Sequence, residues 1–261
     1  MGEKLDMLED IDQHKDYIYI LRYEINSIVP QHKHEQGHIL VVLDGAATLN
    51  VEHNEFYIPN GYFVWIPSGT FHRVSFEGKS IKVLNIYYPA NFKMSPFFQK
   101  VGAYPIPSLL FHTVELVREQ TLTYTPDDWQ YELISTLNHV LPHILSTQMF
   151  QLRLPTTDNI AVQKIVEVIH RKYHTPLTAT LVAEEVGLSV RSLSRHLRAE
   201  LDVSFVQYLR TYRIIMAIKM IVKGGESITN IAYCVGYESL TAFSNSFYKV
   251  TGSRPSQFMK Q

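Results

Sequence analysis

At 261 residues, 46% of them hydrophobic and 19% charged, the chain has room for two ordinary domains and the composition of a soluble globular protein. The single cysteine, Cys234, excludes an internal disulfide and fits a reducing compartment. The formal net charge of −1 conceals a split: residues 1–158 hold 11 Lys and Arg against 18 Asp and Glu, and residues 159–261 hold 13 against 7. A basic C-terminal region that faces a polyanion is therefore expected beside an acidic body.

The N-terminal stretch MGEKLDMLEDIDQHKD is acidic and lacks an apolar core, so it does not read as a signal peptide. The longest apolar run, IIMAIKMIV at 214–222, carries Lys219 and is too short to cross a membrane. A cytoplasmic protein with no membrane contact is the expectation. From about residue 17 to 88, short β-rich runs (YIYILRYEI, GHILVVL, ATLNVEH, EFYIP, YFVWIP, HRVSF, IKVLNIYY) alternate with turn signals at Asp44-Gly45, Asn60-Gly61 and Ser68-Gly69. This spacing predicts an all-β sandwich or barrel. Within it, HKHEQGHIL places His32, His34 and His38 on one face if the segment is a single strand. Neutral imidazole is a common transition-metal ligand.

Beyond the prolines of AYPIPS, residues 104–150 carry a helical pattern. Trp129, Leu133, Leu137, Leu141 and Leu145 recur every four residues, with Pro142 near the end. This segment is read as a helical dimerisation element and QLRLPTTDN, 151–159, as a linker. The remainder repeats itself. LVAEEVGLSVRSLSRHL (181–197) and NIAYCVGYESLTAFSNSF (230–247) align with one inserted residue: Ala183 with Ala232, Val186 with Val235, Gly187 with Gly236, Leu193 with Phe243 and Leu197 with Phe247. Each copy reads as a short helix, a glycine-centred turn and a second helix with an N-cap serine, Ser189 or Ser239. One long helix, from SFVQYLRTYRIIMAIKMIVKGG, is expected between them.

The segment IxxIAYxVGYxSxxxFSxxFYKxTGxRPSxF resembles the double helix-turn-helix domain of AraC/XylS-type bacterial transcription regulators over about residues 160–261, including the closing Gly252, Pro255 and Phe258. The resemblance implies two recognition helices that address major-groove faces about one helical turn, roughly 34 Å, apart on an operator in double-stranded DNA. By the same resemblance the outward residues are Arg191, Ser194 and Arg195 in the first unit and Leu240, Thr241, Ser244 and Asn245 in the second. The family usually carries arginine where Asn245 stands. Arg191 and Arg195 can bind guanine with paired hydrogen bonds or serve as phosphate contacts. The resemblance also implies contact with RNA polymerase and a role as activator.

In the β-region, Gly61-x5-Pro67-x-Gly69-x2-His72 is similar to the second cupin motif. His32, His34 and Gly45 match the first, with His38 at its glutamate position and Phe76 replacing the usual asparagine of the second. A cupin-like sensor barrel within residues 1–103, followed by helices and an all-α domain, is the expected fold. Its four converging positions would be His32, His34, His38 and His72, a donor set suited to zinc, nickel, copper or iron. His53, His112, His139 and His143 lack such spacing and read as surface or packing residues.

The resulting expectation is a homodimeric DNA-binding regulator controlled by a small molecule or metal in the barrel, and not an enzyme. Two other readings remain open at this point. One is a metal-dependent cupin enzyme of dioxygenase or isomerase type, which leaves the tandem helix-turn-helix without a role. The other is a constitutive DNA-binding protein with a structural barrel.

Overall fold

The computed structural model describes residues 11, 15–25, 28–90, 92–93, 95–117, 122–145 and 152–258. The chain divides into two compact units, one of residues 1–52 and 58–151, the other of residues 53–57 and 152–261. The strand-rich region precedes the helical one, as the two textures of the sequence require. Among the described residues no helix is long and apolar enough to cross a membrane.

The first unit contains strands β1 (Ile18–Ile25), β2 (Val29–His32), β3 (His38–Val51), β5 (Tyr62–Ile66), β6 (His72–Tyr87) and β7 (Gly102–Pro105), with β4 (Asn54–Pro59) intervening in the chain. It continues with helix α1 (Ser108–Leu116), strand β8 (Leu122–Tyr124) and helix α2 (Trp129–Leu145). The sheet runs β7-β5-β3-β6-β1-β8, and β2 adds to β6.

Two pairs of expected strands are in fact single long ones. Asp44-Gly45 is a bulge inside β3, which pairs with β6 on both sides of it, from Ile39 opposite Ile86 to Val51 opposite His72. Continuous pairing outweighs a local turn signal here because the bulge absorbs the extra residue without breaking the ladder. HRVSF and IKVLNIYY likewise form one strand, β6.

HKHEQGHIL is not one strand either. β2 ends at His32, residues 33–37 form a loop, and β3 starts at His38. Gly69 N donates to His34 O at 2.9 Å and Tyr88 N to Gly37 O at 2.9 Å, which pins that loop.

The C-terminal part of the α2 stripe is core, whereas Trp129 is exposed and Leu133 half-buried. Leu137, Leu141 and Leu145 are buried in one cluster with Ile18, Ile20, Leu84 and Ile86 of the sheet. Asn138 adds polar anchors: its Oδ1 accepts from Ser95 N at 2.9 Å and its Nδ2 donates to Lys93 O at 3.1 Å. The chain's own sheet thus covers Leu137, Leu141 and Leu145, and the Trp129 end of the expected dimer face is left open. Pro142 lies inside the helix without ending it. The last residues of the expected segment, 146–150, and the first of the expected linker, 151, lie outside the described residues.

Within the expected linker, Arg153–Pro155 form β9, paired with β4 through Glu55 opposite Leu154. The second unit then runs α3 (Ile160–Lys172), α4 (Ala179–Glu185), α5 (Val190–Leu201), α6 (Phe205–Lys223), α7 (Ile228–Cys234), α8 (Leu240–Thr251) and α9 (Pro255–Phe258). Ser189 Oγ accepts from Ser192 N and Ser239 Oγ from Ala242 N, the expected caps of α5 and α8.

The central helix α6 opens on a Ser204–Gln207 capping box. From its middle, Arg213 Nε donates to Tyr173 O at 2.8 Å and Nη2 to Thr175 O at 2.7 Å, tying the α3–α4 connection to α6. On α3, His170 stacks on Tyr212 with ring centroids 3.9 Å apart, and its Nε2 lies 3.1 Å from the Tyr208 hydroxyl.

Burial lowers the His170 pKa from 6.5 to about 4, so the folded unit prefers the neutral ring. The unfolded chain binds that proton first, and the stability tied to it is present above pH 6.5 and is lost as pH falls toward 4. Replacing His170 with phenylalanine keeps the stack and removes the titration. The thermal midpoint followed by far-UV circular dichroism should then fall less between pH 7.5 and 5.0 than in the unaltered protein. A gap between the two proteins that does not change with pH counts against this account.

Candidate metal and DNA-binding sites

Three chain segments bring the histidines together. His32 ends β2 and pairs with His72 at the start of β6. The pinned loop carries His34 between them, and β3 begins at His38. Ring centroids lie 4.2 Å apart for His32 and His72, 5.3 Å for His34 and His72, and 4.8 Å for His34 and His38.

One ligand nitrogen from each of His32, His34 and His72 falls within 4.8 Å of the others, and His34 and His72 are buried. His38 stands beside this set, its ring stacked on Tyr87 at 4.7 Å and 22°. All four expected histidines meet, with His38 and His72 centroids 5.4 Å apart, and the ligand nitrogens of His32, His34 and His72 are the ones within 4.8 Å of one another.

Protonation and orientation favour ligation. Nδ1 of His32 donates to Pro30 O and Nδ1 of His72 to Thr70 O, each at 2.8 Å. That places a proton on Nδ1 of both rings and turns Nε2 away from the carbonyl, the arrangement a backbone carbonyl enforces behind metal-binding histidines.

Burial depresses the His34 pKa to about 4, helped by the nearby His32 and weakly opposed by the backbone of Gln36. Burial likewise depresses His72 to about 3, with the Thr70 hydrogen bond opposing and His32 adding to the effect. His38 is held well below the usual range by burial first and then by its histidine neighbours. All three are neutral near pH 7, the form that ligates.

Both ring nitrogens of His34 and Nδ1 of His38 are buried without a well-formed hydrogen bond. An unsatisfied buried polar nitrogen costs about 1–3 kcal/mol, so the cluster has donor atoms that a cation would satisfy. The residues present fit a transition-metal ion.

A cavity of about 200 Å³ opens onto His32, His38 and His72 and is otherwise walled mainly by Leu21, Val29, Leu40, Val74, Phe76 and Tyr87. Asn85 Nδ2 donates to the Tyr23 hydroxyl at 2.7 Å, while Asn85 Oδ1 is buried without a hydrogen-bond partner. The sequence reading missed Tyr87, Asn85 and Tyr23. Asn85, a lone amide in the apolar run IKVLNIYY, was the available signal. His53, His112, His139 and His143 are exposed, apart from the cluster.

In the second unit, Leu193 and Leu197 of α5 and Phe243 and Phe247 of α8 are buried, so the opposite helix faces are turned to solvent. Arg191, Ser194 and Arg195 are exposed on α5; Leu240, Thr241 and Asn245 are exposed on α8, with Ser244 half-buried.

Residues 182–261 match a family model described as a helix-turn-helix domain, and residues 19–87 match one described as a cupin domain. The chain is similar to the HTH-type transcriptional regulator NimR of Escherichia coli (strain K12), 27% identical over 233 residues, with 88% of this chain and 82% of that protein covered. It is also similar to the uncharacterized HTH-type transcriptional regulator YdeC of Bacillus subtilis (strain 168), 20% identical over 263 residues, covering 94% and 90%. Among solved structures, ToxT from Vibrio cholerae aligns over 93% of this chain and 98% of that one, at 15% identity and a TM-score of 0.39.

Proposed function

This chain is an AraC-type DNA-binding transcription regulator with an N-terminal cupin domain, and from that premise we propose that a transition-metal ion held by His32, His34 and His72 is its effector or part of it. The observation that carries this reading is the histidine trio, two of its members buried, with ligand atoms within 4.8 Å of one another and His34 left without a well-formed hydrogen bond. A bound ion would supply a Lewis-acidic centre, held by His32 of β2, His34 of the 33–37 loop and His72 of β6. The protein's own part is to keep His34 and His72 neutral, to orient His32 and His72 through the Pro30 and Thr70 carbonyls, and to wall the adjoining cavity with apolar side chains. His38 serves as a reserve ligand or as a polar contact for a small molecule in that cavity. Control of transcription then requires the occupied and empty states to differ in DNA affinity.

In the same reading, residues 1–103 act as sensor and 160–261 as the DNA-binding domain. Arg191, Ser194 and Arg195 read one half-site and Leu240, Thr241, Ser244 and Asn245 the other. The protein acts as an activator that contacts RNA polymerase, on the strength of the family resemblance. It is a homodimer, supported by the exposed Leu109, Leu116 and Trp129 rather than by the buried Leu137, Leu141 and Leu145.

The test is to purify the protein from metal-supplemented medium, measure bound metals, and repeat binding to a duplex selected from a random pool after chelation. No bound metal and unchanged DNA binding would remove the metal from the account. A second reading, a cupin enzyme, draws support from the same trio, because three ligands leave a coordination position open where four would not. Turnover of small carbonyl or catechol substrates by the metal-loaded protein is the outcome that would establish it.

Arg195→Ala is expected to weaken binding to the selected duplex by about 1–3 kcal/mol and to relax preference at one base pair. An equal loss on random DNA would make Arg195 a phosphate contact instead.

A further inference from the structure

The two recognition faces differ in charge. Arg191, Arg195 and Arg198 lie exposed along α5, whereas the only basic residue in the sequence of α8 is Lys249, in its last turn. A guanidinium nevertheless sits on α8. Arg254, between α8 and α9, directs Nη1 to Ser244 Oγ and to Asn245 Oδ1, each at 3.2 Å, and lies 3.5 Å from the Ser244 carbonyl. Its guanidinium carbon is 5.0 Å from the centre of the Tyr248 ring. Thr241, Ser244, Asn245 and Tyr248 share one helix face by their spacing, so Arg254 lies against the side that Thr241 and Asn245 present.

The surrounding chain fixes this position. The Thr251 hydroxyl donates to Phe247 O at 2.9 Å and accepts from Ser253 N at 3.2 Å. Arg254 N donates to Gln257 Oε1 at 2.9 Å. Pro255 and Phe258 are buried, and the Phe258 ring meets Phe247 at 5.6 Å. The backbone that carries Arg254 is thus braced on both sides, which lowers the entropy lost when the side chain meets a ligand.

We propose that Arg254 is a specificity-determining residue of the second helix-turn-helix, orienting the Asn245 amide toward DNA and supplying the positive charge that α8 lacks. The proposal rests on the reading of α8 as a recognition helix. Donation into Oδ1 settles which end of the amide faces Arg254, and leaves both Nδ2 hydrogens and the second Oδ1 lone pair for a base edge. Asparagine reads adenine through that combination of donor and acceptor. The guanidinium keeps its Nη2 and Nε donors for a phosphate or base.

The experiment uses the full-length protein and a duplex it selects from a random pool, with dissociation constants for every single-base variant of the half-site facing α8. Thr241→Ala and Asn245→Ala identify the base pairs that α8 reads. Arg254→Gln is expected to flatten the preference at the base pair that Asn245→Ala flattens, to weaken binding about tenfold, and to reduce the salt slope by about one ion. Arg254→Lys, which keeps the charge without the planar fork, should retain the slope and still lose most of the preference. Matched circular dichroism spectra and thermal midpoints accompany each variant; if Arg254→Gln fails to fold, Arg254→Lys alone decides. Wild-type base preference in the folded Arg254 variants overturns the proposal, whatever their affinity or slope. If Thr241→Ala and Asn245→Ala leave every preference intact, the reading of α8 fails and the proposal falls with it.

Discussion

If the proposed metal site holds zinc, His34→Leu is expected to abolish zinc binding without destabilising the metal-free protein. His34 is 5% exposed, and neither of its ring nitrogens makes a well-formed hydrogen bond. Each such buried group costs about 1–3 kcal/mol in the absence of a ligand. Leucine fills a similar volume and carries no polar atom, so metal-free His34→Leu should unfold at the same temperature as the unaltered protein or higher. With zinc the order reverses. At a free concentration of 100 times its dissociation constant, a ligand bound only by the folded state stabilises it by about 2.7 kcal/mol. The unaltered protein should show that shift and bind one equivalent, and His34→Leu should show neither. Two results would sink the metal site. One is a full equivalent of zinc on His34→Leu; the other is a loss of about 2 kcal/mol or more in its metal-free form, since that would mean the imidazole is already satisfied.

Gly236→Ala disrupts the second helix-turn-helix far more than Gly187→Ala disrupts the first, although the two glycines hold the same place in the repeat. Both have positive φ, +69° at Gly187 and +87° at Gly236. An L-residue there costs about 1–2 kcal/mol from backbone strain alone. At Gly187 nothing else would meet the new Cβ within 4 Å. At Gly236 it would lie 2.7 Å from Tyr173 O, 2.8 Å from Arg213 Nη2 and 3.0 Å from His174 C.

Tyr173 O is the atom that Arg213 Nε binds, so the methyl enters the junction that ties α6 to the α3–α4 connection. Overpacking of this kind adds about 1–3 kcal/mol. The expected losses are therefore about 1–2 kcal/mol for Gly187→Ala and about 2–5 kcal/mol for Gly236→Ala. Both tryptophans, Trp65 and Trp129, belong to the first unit. Tryptophan fluorescence therefore tracks the first unit alone during urea unfolding, and the far-UV circular dichroism change not accompanied by it reports the second unit. Equal losses for the two alanine variants would refute the packing argument.

Local patterns carried much of this protein. The repeat at 181–197 and 230–247, the serine caps and the long helix between them were legible because helix periodicity and capping depend on residues within a few positions of each other. The β-region was legible as strands but not as whole strands. Asp44-Gly45 carries a turn signal, and only pairing with β6 on both sides makes it a bulge. The stripe from Trp129 to Leu145 was legible as an apolar face, yet periodicity does not say what covers that face. In the structure the sheet's Ile18, Leu84 and Ile86 belong to the same buried cluster.

The same division runs through the functional sites. The sequence alone determined that four histidines stand at cupin-motif positions and that two helix-turn-helix units follow, because spacing along the chain is all those patterns need. Tertiary structure decided which donors meet. It set His32, His34 and His72 as a trio with His38 against Tyr87, and it laid Arg254 on Asn245 across nine positions of chain and a turn. Those contacts follow from where strands pair and where a helix end is braced, which are long-range properties that no local pattern encodes.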